Sequence, residues 1–439
     1  ILQCIKSVMD LSFQNYALYI VDNASTDGST QAIEEVYGEK VNLIRNQENL
    51  GGSGGFNTGI RAVLNKGYKY IYLLDNDVIL DRQALTELYN YMEEQKDVGV
   101  VGSLLYSMDN PEEIQEMGAE IDWDNFYIKP KYKGNLENEA IPLALECDYV
   151  PACSMLVRSE AIKKAGLMDE GNFIYWDDIE WGYRIKQHGY RVVAYAKSKV
   201  WHKMGVAAKT NTFGTYYFWR NRVNFFVKTL DKEEIRRFAD KLFEEVFQAM
   251  YACNYAGKYN SARTIFFAVE DALNYIRGKA PAGRILELEK GNKRLEDLIG
   301  NHRRFLLIPN LEIKLLRDVI NKLQTVNSHL QITIAASKQQ IKDLKSQFAG
   351  INYVDLTDYR KEDYDLIGQV CNHVFEVRNK LSAEIDFYID RYFNLIVSQD
   401  DINYVKNYDA TFNLLKNTYY PVFQQRLLSL KERIMEEVN

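Results

Sequence analysis

Along the first hundred residues the apolar positions follow two alternating rhythms. YALYIV at 16–21, YIYLL at 70–74 and VGVVGSLLY at 98–106 are short apolar runs of strand length, rich in aromatic and β-branched residues. Between them, DGSTQAIEEVYG, GGFNTGIRAVLNKG and RQALTELYNYMEEQ repeat their apolar residues at three- and four-residue spacing, as helices do. Strands separated by helices of that length predict an α/β domain, a largely parallel sheet with crossover helices. Residues 107–149 are polar and irregular. CSMLVRS then reads as a further strand, and EAIKKAG and DIEWGYRIKQHG as helices closed by Gly166 and Gly189. From Asp231 to about Asn301 the spacing is helical throughout, ending near the PAG turn at 281–283. RFLLIPN, LEIKLLRDVINKLQ, LQITIAAS, KQQIKDLKSQF and INYVDL then spell βαβαβ, and the rest to Asn439 is helical in pattern. The expected division is an α/β domain over 1–230, a helical extension over 231–301, and a small α/β and helical unit over 302–439.

With 46% hydrophobic and 26% charged residues in 439, the chain has the composition of a globular protein, long enough for two or three domains of about 150 residues. A formal net charge of −7 argues against a nucleic-acid partner. No window holds the ~18 consecutive apolar residues of a membrane span, and ILQCIKSVMDLS lacks a secretory leader's apolar core, so a cytoplasmic location is expected. The five cysteines are scattered with no CxxC pair, which predicts reduced core thiols rather than disulfides or a zinc knuckle. The 31 tyrosines and 20 phenylalanines, dense around YYFWRNRVNFFVK, read as core packing, with carbohydrate stacking or an interfacial membrane surface as the alternatives.

Against this background the interruption of YIYLLDNDVIL by two carboxylates one residue apart calls for an explanation. If the backbone stays extended, period two puts Asp75 and Asp77 on one face, where their repulsion calls for a cation such as Mg²⁺ or Mn²⁺. Asp22 ends the strand before NASTDGST, placed either to accept bonds from a ligand at a strand's carboxyl end or to stabilise the turn. NLGGSGGFNTGI fits neither a dinucleotide fingerprint, since Asn57 stands where a glycine is needed, nor a P-loop, since Ile60 follows Gly59. Its glycines still permit close backbone approach to a ligand. In FIYWDDIEWGYR, Asp177 and Asp178 diverge by about 100° on a helix start, so one of them can face a cleft and be raised toward a working base by its aromatic neighbours. His202 ends the apolar run VWH, and the other four histidines have no acidic motif beside them.

Taken in this order, VDNASTDGS, LLDNDV and CSMLVRSEAIKKAGLMDEGNFIYWDDIEWGYRIKQHGYRVVAYAKSKVWH resemble the family 2 glycosyltransferases of GT-A fold, over residues 1 to about 290. NLGGSGGFNTGI with WDDIEWGYR and WH is most similar to the galactofuranosyltransferases, and next to the rhamnosyltransferases of polysaccharide assembly. The resemblance implies that Asp22 contacts the nucleotide base, that Asn49, Gly51, Gly52 and Asp75 line the donor pocket, and that Asp75, Asp77 and His202 hold the divalent metal, Mn²⁺ or Mg²⁺. It implies Asp178 as catalytic base and Trp176 and Trp181 as acceptor platforms.

The implied reaction is an inverting, metal-dependent transfer from a UDP- or dTDP-linked sugar to a hydroxyl of a glycan or lipid-linked glycan, for cell-wall or other polysaccharide assembly. Peripheral membrane association and a homo-oligomer built through the C-terminal unit go with it. Members of the family open with one more strand beside the base, and this chain is expected to begin beyond it. That expectation keeps a second reading open, a non-catalytic nucleotide-sugar or glycan-binding protein on a degenerate scaffold. A sugar nucleotidyltransferase is disfavoured by the lack of a glycine- and lysine-rich signature.

Overall fold

The computed structural model describes residues 1–136, 140–203, 210–289, 294–300, 302–310, 312–348 and 350–438. They form two compact units, one of Ile1–Val246, Arg263–Leu288 and Phe423–Asn439, the other of Phe247–Ala262 and Glu289–Val422. The stretch 231–301 is thus shared between the units rather than standing as an extension of its own.

The first unit runs α1 (Leu2–Met9), β1 (Tyr19–Asp22), α2 (Ser29–Tyr37), β2 (Asn42–Arg45), α3 (Gly51–Val63), β3 (Tyr70–Leu74), β4 (Val78–Leu80), α4 (Ala84–Glu94) and β5 (Val98–Ser107). After it come β6 (Ile114–Glu116), β7 (Ala119–Asp122), β8 (Tyr127–Pro130), β9 (Ala144–Cys147), β10 (Ser154–Arg158), α5 (Ser159–Ala165), α6 (Asp177–Gln187), β11 (Arg191–His202) and α7 (Phe213–Thr229). The main sheet has the order β3-β10-β5-β11-β4, with β6 on β5 and β9 on β11, while β1 and β2 make a separate parallel pair. β3, β5 and β11 share one direction, as crossover helices require, and β10 runs antiparallel between β3 and β5. The irregular reading of 107–149 missed β6 to β9, each only three or four residues long.

The first nine residues of β5 are buried, as a central strand covered on both faces must be, which explains its unbroken apolar run. One core layer joins Ile60, Val63, Ile71, Val100, Val157 and Trp181, and the other joins Val8, Leu88, Met92, Val101, Leu156 and Val193. Inside the sheet Ser103 makes 2.7 Å hydroxyl contacts to both Ser154 and Ser198, and Ser154 meets the Tyr72 hydroxyl at 2.8 Å. That chain, buried at its three serines, ties β3, β10, β5 and β11 together through polar groups. Between β1 and β3, which do not pair, lies a cavity of about 880 Å³ lined by Tyr19, Val21, Ile71 and Leu73 and reaching Gly52 and Asp75.

α7 carries YYFWRNRVNFFVK, and Tyr216, Tyr217, Arg220, Asn221, Arg222, Phe225 and Phe226 are all buried. Core packing is therefore what most of the aromatic stretch does, Phe218 and Trp219 being only half-buried. No helix among the described residues is long and apolar enough to cross a membrane.

α8 (Lys232–Tyr255) and α9 (Tyr259–Leu273) precede the second unit's α10 (Arg294–Ile299), β12 (Arg304–Ile308), α11 (Ile313–Val326), β13 (Gln331–Ala336), α12 (Lys338–Lys345) and β14 (Asn352–Asp355). β15 (Leu366–Val370), β16 (Phe387–Ile389), β17 (Leu395–Ile396) and α13 (Gln399–Lys406) follow. The βαβαβ pattern is present as β12-α11-β13-α12-β14. The sheet order is β14-β13-β12-β15-β16-β17, with only β17 antiparallel, so the chain winds outward from β12 in both directions. Ser337 and Ser398 start α12 and α13 with reciprocal side-chain caps.

Removing the shared hydroxyl tests whether the serine chain holds the main sheet. Ser103→Ala leaves buried partners unsatisfied and should cost about 1–3 kcal/mol. The expected signature is a lower urea midpoint at unchanged slope, and an unaltered midpoint would exclude a stabilising role.

Candidate functional site

The site gathers where strands of the main sheet end. β3 stops at Leu74, and Asp75-Asn76-Asp77 turns the chain into β4, whose Val78 pairs with His202 at the end of β11. That register brings Nε2 of His202 to 3.4 Å from Oδ1 of Asp77. One ligand atom from each of Asp75, Asp77 and His202 lies within 4.8 Å of the others, the one such grouping among the described residues. Desolvation, and then the neighbouring Asp77 charge, push the Asp75 carboxyl up to about 6 against the opposing pull of His202. Two carboxylate oxygens and an imidazole nitrogen are a donor set that fits Mn²⁺ or Mg²⁺.

The second acidic pair sits at the start of α6. Asp177 is buried, and a Cβ on Gly52 would stand 3.5 Å from its Oδ2. Asp178 is less buried; its Oδ1 accepts from its neighbour Ile179 N at 2.9 Å and its Oδ2 from Ala152 N at 3.3 Å. Desolvation raises both carboxyls far above the ordinary range, that of Asp178 to about 7 with Glu116 and Asp75 adding repulsion. Each pair therefore feels the other, since Asp177 also contributes to the shift of Asp75.

The run before α6 is strained: Phe173, Tyr175 and Trp176 all have φ between 62° and 67°. Gly51, at φ +75°, lies against it so closely that a Cβ would be 2.1 Å from the Phe173 carbonyl oxygen. Here glycine is required by packing. Gly51 and Gly52 line the cavity beside Asp75, together with Asn23. Asn23 joins the loops, donating to Gly51 O at 2.8 Å and accepting from Leu50 N at 3.1 Å. Asn49 turns its Oδ1 back to Gly51 N at 2.9 Å. Asp22 accepts from Ser25 N at 2.9 Å and from the Thr30 hydroxyl at 2.8 Å. Although partial desolvation acts to raise it, those bonds hold its carboxyl below the usual range.

Trp176 and Trp181 do not serve as platforms in this arrangement. They are 2% and 0% exposed, and Trp181 Nε1 donates to Gly166 O at 2.8 Å within the core. A stacking platform needs an open ring face, and the exposed ring in this run is Tyr175. Two further residues join the site that the sequence did not single out. Gln115 meets Nδ1 of His202 at 2.8 Å, and Glu116, raised to about 7 by desolvation, interacts with Tyr149 and Asp178. Only their place in a strand too short to show periodicity marks them.

Residues 1–164 match the family described as glycosyl transferase family 2. Galactofuranosyltransferase GlfT2 of Mycolicibacterium smegmatis is 25% identical over 197 residues, 41% of this chain and 30% of that protein. The dTDP-rhamnosyl transferase RfbF of Shigella flexneri is 25% identical over 203 residues, 45% of this chain and 63% of its own. The chain thus spans less than a third of the length of GlfT2. Among solved structures, GalNAc-T7 with UDP, GalNAc and Mn²⁺ overlaps 55% of this chain and 47% of its own at 16% identity and a TM-score of 0.45, too loose a likeness to argue from.

The raised carboxyl of Asp178 makes a pH prediction. Between about pH 4, where an unfolded aspartate ionises, and about 7, the folded state keeps a proton that the unfolded state has released, so stability falls as pH rises through that window. Without divalent metal the unfolding midpoint should therefore climb on acidification from pH 7.5 toward 5, and Asp178→Asn should flatten that climb. A slope identical in the variant would contradict the assignment.

Proposed function

We propose, from the match of residues 1–164 to glycosyl transferase family 2, that the chain transfers a sugar from a nucleoside diphosphate donor to a hydroxyl acceptor, with inversion and with a divalent cation. The observation that carries this reading is the convergence of the Asp75, Asp77 and His202 donor set with Asp178 at one end of the sheet. A cation bound by that set would supply Lewis-acid compensation for the charge of the departing diphosphate. Gly52 and Asn23 line the cavity beside Asp75, where absence of a side chain lets a donor lie close to the backbone.

Asp178 is the general base. Its raised pKa lets it accept the acceptor hydroxyl's proton near neutral pH, so that a single displacement would invert the anomeric centre. Asp177, more deeply buried against Gly52, shapes the floor. Galactofuranosyl and rhamnosyl donors, linked to UDP or dTDP, fit the named relatives, and a glycan or lipid-linked glycan is the acceptor class.

Two substitutions separate the roles. Asp178→Asn should lower transfer by about 10²–10⁴ while nucleotide binding, followed by calorimetry, persists. Unchanged turnover removes it as base. Asp77→Ala should instead abolish the Mn²⁺-dependent part of the nucleotide-binding signal; an intact signal would assign the DND turn to structure alone.

A further inference from the structure

The three residues of β6 contain an irregularity with a chemical consequence. On β5, Leu105 and Tyr106 are adjacent, yet their partners on β6 are Glu116 and Ile114, which leaves Gln115 as the extra residue of a β-bulge. The same two β5 residues pair on their other side with Val200 and Trp201 of β11, one position before His202. A bulge re-aims the side chain it carries. Here it sends the Gln115 carboxamide across β5 to Nδ1 of His202, at 2.8 Å. The opposite ring nitrogen, Nε2, faces Asp77 at 3.4 Å.

We propose that Gln115 is a positioning residue for the cation site, holding His202 in the tautomer and ring orientation that present Nε2 beside Asp75 and Asp77. The inference rests on the cation-binding reading of that trio. A neutral imidazole that offers the Nε2 lone pair to a cation carries its proton on Nδ1, and that N–H then needs an acceptor. The atom 2.8 Å from Nδ1 is the Gln115 amide nitrogen, and turning the carboxamide over puts its oxygen there as the acceptor of that N–H. Being uncharged, it does so without adding a further negative charge beside Asp75, Asp77, Glu116 and Asp178. Glu116, its neighbour, turns instead to Tyr149.

The test is Mn²⁺ uptake by the whole protein, read from the electron paramagnetic resonance of free Mn²⁺ with no nucleotide or sugar present. Gln115→Leu should bind Mn²⁺ about 10–100-fold more weakly than wild type, the usual loss when a ligand histidine's partner is removed. Gln115→Met, closer in length and equally unable to accept, carries the same expectation should the leucine variant fold poorly. Gln115→Glu keeps an acceptor at the same reach and should stay within about threefold of wild type. Equal affinity in the leucine or methionine variant, or an equally large loss in the glutamate variant, overturns the positioning role and leaves the cation site standing. Wild-type protein that takes up no Mn²⁺ overturns the cation reading itself, and this inference with it.

Discussion

One carboxamide anchors the geometry on which the acidic site depends. Asn221, fully buried on α7, donates through Nδ2 toward the carbonyl oxygens of Asn172, Ile174 and Tyr175 at 2.8, 2.8 and 2.9 Å, and Arg220 adds a 3.0 Å bond to Asn172. Those carbonyls belong to the run in which Phe173, Tyr175 and Trp176 adopt left-handed backbone conformations. Each such residue costs on the order of 1–3 kcal/mol and persists only where its surroundings over-determine it. The strained run sets where α6 begins, and so where Asp177 and Asp178 stand. It also fixes the contact that only glycine at 51 permits.

Electrostatics makes the same region expensive. Asp75, Asp177, Asp178 and Glu116 all have carboxyls raised first by desolvation, and neighbouring acids raise the three aspartates further. Left uncompensated, such a cluster holds protons that ordinary carboxyls release. Protons or a bound cation relieve such a cluster. Asp77 faces the Nε2 of His202 and Asp75 lies within 4.8 Å of both, whereas Asp178 accepts from backbone N–H groups.

Much of this was legible in the chain. The apolar runs at 70–74 and 98–106 are strands, the helices between them fall where their periodicity put them, and the DND turn lies beside His202. The βαβαβ pattern after Arg304 is likewise present. These readings held because burial on a strand or helix leaves a periodic trace in residue type. Where a strand has three residues, as at Gln115, there is no period to detect, and a bulge is a matter of pairing with another strand. The buried tryptophans were misplaced for a related reason: an aromatic residue beside an acid has the same letter whether it lines a cleft or fills a core.

The sequence by itself determined the α/β class, the acidic motifs and the likeness to a transferase family, because local periodicity and motif spacing are written along one dimension. Tertiary structure decided which nitrogen of His202 faces the aspartates, which acid of α6 lies deeper, and that the aromatic helix α7 is an internal clamp rather than a surface. Those outcomes depend on register between strands and on desolvation by residues far away in the chain, for which no single segment carries the information.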